Sequence, residues 1–280
     1  MRAAPRAVNA ALATLAVEHD RSGPRSPEKR HSARMRSCLI LESDASDEEL
    51  AAALVSGADA ILLRLGPCAE AARRSARARA CALINEARGK GARCKSAAPK
   101  LFVEVAPLEN ELIEADLDAL FGPGPEGVFL TSCDGAASLQ RMSVKLAVRE
   151  AQAGLPDGAT RIGAFAGGDP AAALALRSLA GASPRLAALA FDEAGLRAAL
   201  GLACGDGAAV QMARGAVVLA AASAGVPALA APIPTGENEA YAAARRDGFR
   251  GSMARFPGQI AAIQEIFPAG ENRQRPQSSA

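Results

Sequence analysis

Seven short apolar runs recur along this chain, and Ala-rich stretches with helical spacing separate each from the next. That alternation restricts the fold more than any other feature. Runs of four to six residues that are apolar on both faces belong in a parallel sheet, whose crossover connections are helices that cover it. The runs fall at 38–41, 60–65, 101–105, 127–130, 161–166, 186–191 and 228–233, with helices expected at 47–56, 69–89, 138–153, 170–180, 193–200, 207–224 and 237–247. Gly57, Gly89, Gly181, Gly225 and Gly248 stand where helices should stop. "GFRGSMA" supplies a short eighth strand. Eight strands close a (β/α)8 barrel, and "FPGQIAAIQEIFPAG" adds a carboxyl-terminal helix with Ile260, Ile263 and Ile266 or Phe267 on one face. An open doubly wound sheet is the alternative, but no G-x-G-x-x-G follows a strand to favour dinucleotide binding.

The barrel is expected to occupy residues 35–270. Residues 1–34 mix Ala-rich text with "DRSGPRSPEKRHSAR", whose lack of large apolar residues predicts disorder, although 3–17 has the makings of a short frayed helix. The basic opening reads either as a transit-like presequence or, more simply, as the product of a misplaced start, since Met35 runs directly into "CLIL". A start there leaves a body close to the ~250 residues typical of such a barrel. The last ten residues, "ENRQRPQSSA", are polar and expected to be disordered.

Composition removes several functions. A formal charge of +2, 3% aromatic residues and no Trp give neither the electrostatic footprint nor the stacking platforms of a nucleic-acid binder. Charges, Gly and Pro interrupt every apolar stretch, so no membrane span is expected. Six cysteines without a C-x-x-C pair, and no secretory signal, read as reduced thiols in a cytoplasmic protein. Both histidines, His19 and His31, lie in the first 31 residues. The body therefore lacks Ser-His-Asp and Cys-His machinery and any His-ligated metal.

From Met35 to about Gly270 the chain resembles the citrate lyase beta-subunit and malyl-CoA lyase group of the HpcH/HpaI aldolase superfamily. The ordered landmarks are "MRSCLILES", "LVSGADAILLRL", "LFVEVAPLEN", "GPEGVFLTSCDGAASL", "ASPRLAALAFDEAGLRAALG", "ARGAVVLAAASAGVPALAAPIP" and "GFRGSMARFPGQIAAIQEIF". Each is mostly Ala, Gly and Leu; their order and spacing carry the likeness. The resemblance implies a homo-oligomeric barrel, often a trimer or hexamer, with its site at the carboxyl ends of the strands. It also implies cleavage or formation of a carbon-carbon bond in an acyl-CoA ester. Mg2+ on a Glu and an Asp would polarise the oxo-acid while an Arg clamps its oxygens.

The positions that would carry this chemistry are substituted. Where the family strand ends in a "DLED"-like run, this chain has Arg64, Gly66 and Pro67. "VRVN" has become "VEVA", which puts Glu104 at the arginine and Ala106 at the asparagine. The lysine of "LPK" aligns with Ser132, and the histidine of "IHPRQI" with Phe256. The metal-binding Glu and Asp align with Ala164 and Gly195. The resemblance thus implies a degenerate lyase without its Mg2+ ligands, serving as a binding or assembly protein for an acyl-CoA or a small oxo-acid, or paired with an active paralogue.

The alternative is an active CoA-ester lyase or thioesterase with a relocated site built from Glu104, Asp192 and Glu193. Plainer readings stand beside it. An acid at a helix start, such as Asp192 or Glu193, complements the dipole and needs no other role. Glu104 finds an ion-pair partner in Arg64 one strand earlier. Arg73 and Arg74, in "AARRSARARA", are candidate contacts for CoA phosphates or else a solvated helix face. Gly167 and Gly168 offer backbone amides to a phosphate, or form a turn that Asp169 caps.

Overall fold

The computed structural model describes residues 35–66, 70–91, 98–122, 124–203, 207–234 and 237–269, all within the compact unit Arg34–Ala280. The expectations for 1–34 and 271–280, and Pro67, lie outside the described residues. Strands β1 (Ser37–Glu42), β2 (Ala60–Arg64), β3 (Lys100–Val105), β4 (Gly127–Cys133), β5 (Arg161–Ala166), β6 (Leu186–Phe191), β7 (Ala228–Ala230) and β8 (Gly251–Ala254) pair in sequence order. Every pair is parallel, and β8 returns to β1. The chain is a closed (β/α)8 barrel, not an open sheet.

The helical shell comprises α1 (Asp47–Val55), α2 (Glu70–Gly91), α3 (Leu112–Phe121), α4 (Ala136–Gln152), α5 (Pro170–Ala175), α6 (Glu193–Ala199), α7 (Ala208–Ala224) and α8 (Asn238–Arg246), with α9 (Ile260–Ile266) after the last strand. Three departures from expectation have physical causes. Helix α3 is absent from the sequence expectation, yet it buries Ile113, Leu117 and Leu120 at helical spacing, and Asn110 Oδ1 accepts from Leu112 N at 2.9 Å to start it. Strand β7 stops at Ala230, because Pro232 and Pro234 lack the N–H that a ladder requires. The single helix expected over 170–180 is instead α5 followed by a 3-10 turn, Leu176–Leu179.

Strand alternation sorts side chains into two cores. One faces the helices and holds most of the Leu, Ile and Val residues. The other fills the barrel with Cys38, Leu62, Phe102, Phe129, Leu229 and Met253 among its members. The Phe102 and Phe129 rings meet edge-on at 6.2 Å, and Phe165 tilts onto Phe129 at 5.0 Å. Gly163 makes that column possible, since a Cβ there would stand 2.1 Å from Phe129. The lumen is a packed core and not a pore.

Ion pairs tie the amino-terminal ends of the strands. Arg36 grips Asp59 through Nε and Nη2 at 2.9 and 2.8 Å. Arg185, just before β6, forms a fork with Glu150 of α4 at 2.7 Å for both bonds. Glu150 also accepts from Thr160 N and Gly158 N. Helix α9 packs over β1 and α8, burying Ile260, Ile263 and Phe267.

Candidate functional site

The mouth is built where the strands end. One register row runs Glu42, Arg64, Glu104, Phe129, Gly163 and Ala188 across β1 to β6. Phe129 belongs to the lumen core, so its row partners Glu42, Arg64 and Glu104 share that inward side and stand at the carboxyl ends of their strands. Arg64 Nε donates to Glu104 Oε2 at 2.5 Å, and Arg64 Nη1 lies 3.5 Å from Glu42 Oε1. The side chain of Glu104 is 9% exposed and that of Arg64 38%, so the acid is the buried member. Burial alone lowers the Arg64 pKa; the bond to Glu104 and the charges of Glu104, Glu42 and Asp192 outweigh it and raise the guanidinium above its ordinary value. The predicted partner of Glu104 is therefore the one it has.

The other two candidate acids bond elsewhere, although the charge of Asp192 is felt by Arg64. Asp192 Oδ1 caps α6 by accepting from Gly195 N at 3.0 Å. Its Oδ2 lies only 2.4 Å from where a Cβ would stand on either Gly168 or Gly195. Gly195 is therefore a seat for Asp192, and a side chain at this position would displace that carboxylate. Glu193 turns outward: Arg197 Nε reaches it at 2.9 Å and Arg214 Nη1 at 3.7 Å. Among the described residues no three His, Cys, Asp or Glu side chains group to hold a metal. Two carboxylates of the mouth, Glu42 and Glu104, flank the Arg64 guanidinium.

Several expected positions move on inspection. Ala164 belongs to the layer facing the helices, so it cannot project into the mouth; Phe165 is the β5 side chain that does. Ser132 is exposed and donates to Asp134 Oδ1 at 2.8 Å, while Thr131 Oγ1 donates to Val105 O at 2.5 Å. Phe256 is exposed in the turn after β8, where Gln259 Oε1 accepts from its N–H. Gly66 lies in the left-handed region with φ 72°, and its carbonyl accepts from Arg73 Nη1 at 2.5 Å. Cys133 is buried, which pushes its thiol up to about 11 despite a contact with Gly135 O.

The proposed phosphate contacts are corrected in two places. Arg73 is buried and spent on Asp116, with Nη2 to Oδ2 at 2.6 Å; Arg77 joins the same carboxylate through Nε at 2.7 Å. Only Arg74 is exposed. The Gly167-Gly168 turn carries two carboxylates already: Asp169 Oδ1 accepts from Ala171 N and Ala172 N, and Asp192 lies against Gly168. A phosphate would meet negative charge there. Sequence reasoning missed Asp116, which sits in the unassigned α3, and Glu42, whose place at a strand end was its only signal.

A closed parallel barrel with the Glu42, Arg64 and Glu104 cluster at the carboxyl ends of its strands is a protein of the (β/α)8 class. The particular family follows from sequence. The chain belongs to the HpcH/HpaI aldolase/citrate lyase family, whose profile matches residues 38–251. RipC from Yersinia pestis is similar in structure, at 24% identity, TM-score 0.65, and coverage of 85% of this chain and 96% of RipC. The citrate lyase beta subunit of Mycobacterium tuberculosis complexed with oxaloacetate and magnesium gives 21%, 0.63, 84% and 98%. The Haloferax volcanii malate synthase lead(II) complex gives 18%, 0.69, 88% and 76%. Mycobacterium tuberculosis CitE is also known with magnesium, acetoacetate and coenzyme A. At these identities the likeness speaks to the fold. No curated protein matches the sequence significantly.

Proposed function

We propose that this family member has given up the magnesium-dependent carbon-carbon lyase reaction and works as a binding or assembly protein. The ligand its barrel would take is an acyl-CoA or a small oxo-acid, and its assembly a homo-oligomer, a trimer or hexamer, or a complex with an active paralogue. The observation that carries this reading is the Arg64–Glu104 pair. A guanidinium held between Glu104 and Glu42 opposes a dication, and a nearly buried carboxylate on β3 opposes the anionic acid that a lyase must grip there. The oxaloacetate, magnesium and coenzyme A seen with the Mycobacterium tuberculosis protein supply the ligand classes to try.

The test is isothermal titration of acetyl-CoA into the full chain with oxaloacetate, with and without Mg2+. Binding indifferent to Mg2+ supports a CoA-ester binder without the ancestral reaction. Binding that requires Mg2+, or release of product from citryl-CoA or malyl-CoA, overturns the proposal in favour of a rebuilt site. No binding in either condition removes the small-molecule half of the reading and leaves assembly.

A further inference from the structure

We propose that the mouth of the barrel binds a small α-amino acid, with the ligand carboxylate on the outer edge of Arg64 and the ligand ammonium on Glu42. The inference rests on the reading that the mouth is a binding site, and names the class of acid that it takes.

Arg64 is only partly used within the chain. Its Nε is committed to the nearly buried Glu104, but neither Nη nitrogen makes a hydrogen bond among the described residues, and the side chain is 38% exposed. Glu42, its register partner on β1, is 53% exposed. Glu42 Oε1 stands 3.5 Å from Arg64 Nη1, beyond ordinary hydrogen-bond length. The two opposite charges thus lie side by side, each with unspent hydrogen-bonding capacity. Both are carried at the carboxyl ends of paired strands, where barrels of this class place their ligands.

An α-amino acid carries the same two charges in the opposite sense, separated by one carbon. Laid along the pair, its carboxylate accepts from the Arg64 Nη hydrogens and its ammonium donates to Glu42, and both contacts are charge-assisted. The rest of the mouth favours such a zwitterion over a purely anionic acid. Glu42, Glu104 and Asp192 set three negative charges against one guanidinium, and Asp192 Oδ2 has no donor among the described residues. A dicarboxylate adds negative charge to this cluster, whereas a zwitterion adds none and brings the cation that the cluster lacks. A simple amine would satisfy the acids and leave the Arg64 edge unpaired. Two lumen side chains remain partly open: Ile40, the inward residue before Glu42 on β1, and Phe165, which tilts onto Phe129. The surface beside the charges is therefore apolar and suits an amino acid with an apolar side chain.

Isothermal titration of the full chain with L-alanine, L-leucine and L-phenylalanine, each set against its 2-oxo acid, tests the proposal. The parent is compared with Glu42→Gln, whose side chain gives up no hydrogen bond within the described chain, and circular dichroism checks that the variant folds. At least one amino acid should bind about tenfold or more tightly than its oxo acid, the loss expected for one charge-assisted contact. Glu42→Gln should abolish that preference. 3-Methylbutylamine, which is leucine without its carboxylate, should bind about tenfold or more weakly than leucine. An amine that binds as well as leucine, an oxo acid that binds as well as its amino acid, or a preference that Glu42→Gln leaves intact overturns the proposal. Oxo acids or acetyl-CoA that bind while no amino acid does overturn it and leave the proposed function standing. No binding by any of these compounds removes this inference together with the small-molecule half of that reading.

Discussion

Arg64 and Glu104 are register partners across β2 and β3, and their side chains close a 2.5 Å ion pair at the barrel mouth. Because Glu104 is nearly buried and Arg64 partly open, the two truncations are unequal. Arg64→Ala strands a buried carboxylate and is expected to cost about 2 kcal/mol, less than the loss of a fully buried partner because solvent screens the guanidinium side. Adding Glu104→Ala should recover part of that cost, with a coupling of about 1 kcal/mol in a double-mutant cycle followed by urea unfolding. Simple addition of the two single effects would mean that the pair contributes nothing.

The Glu150–Arg185 fork makes a pH prediction. Burial alone raises the Glu150 pKa; Arg185 and the N–H groups of Thr160 and Gly158 outweigh it and hold the carboxyl at about 2, against 4.5 ordinarily. A pKa depressed in the folded state gives stability that is complete above the unfolded value and disappears as pH falls through the folded one. The pair should therefore contribute about 3 kcal/mol at neutral pH and lose it between about pH 5 and 2. Glu150→Gln should flatten that part of the stability profile. An unchanged acid slope in the variant would place the acid sensitivity elsewhere.

The parts of the fold that sequence revealed are those where one physical signal acts alone. Apolar runs bounded by Gly and Pro located seven of the strands, because a strand buried on both faces has no other way to read, and "GFRGSMA" placed the short eighth. Helix α3 was missed because "LENELIEADLDALF" is dense in acids, and the Ile113, Leu117 and Leu120 line is thin against them. At the site, the Arg64–Glu104 pair was legible from residue identity on adjacent strands. Which of two adjacent residues faces the mouth was not: Ala164 and Phe165 differ only in pleat, and pleat is fixed by the pairing of β5 with β4 and β6. The role of Arg73 was equally hidden, since a cationic helix reads as solvated until a buried acid from another helix is known.

That acid, Asp116, should be among the least replaceable side chains. It is fully buried, accepts from Arg73, Arg77 and Ala106 N, and so ties α2 to α3 and to the end of β3. Asp116→Ala would leave two buried guanidinium groups facing each other and is expected to cost about 4 kcal/mol or abolish folding. Arg74→Ala, one residue from Arg73 but exposed, should change stability by no more than about 0.5 kcal/mol. Comparable costs at the two sites would contradict the buried network.

Tyr241 inverts this logic, because its hydroxyl is buried and finds no hydrogen-bond partner among the described residues. A hydroxyl removed from water without a partner costs about 1–3 kcal/mol, while the ring it sits on repays burial. Tyr241→Phe keeps the ring and discards the penalty, so its urea midpoint should rise at unchanged m-value, whereas Tyr241→Ala should cost about 3–5 kcal/mol through the cavity it opens. The chain has one Tyr and no Trp, so the tyrosinate absorbance band reports this side chain alone. Burial raises its pKa, and the folded protein should form tyrosinate only above the ordinary range near pH 10, with unfolding moving the transition down. A Phe variant that loses stability would show that the hydroxyl has a partner in solution, and a tyrosine titrating normally in the folded protein would show that it is not buried at all.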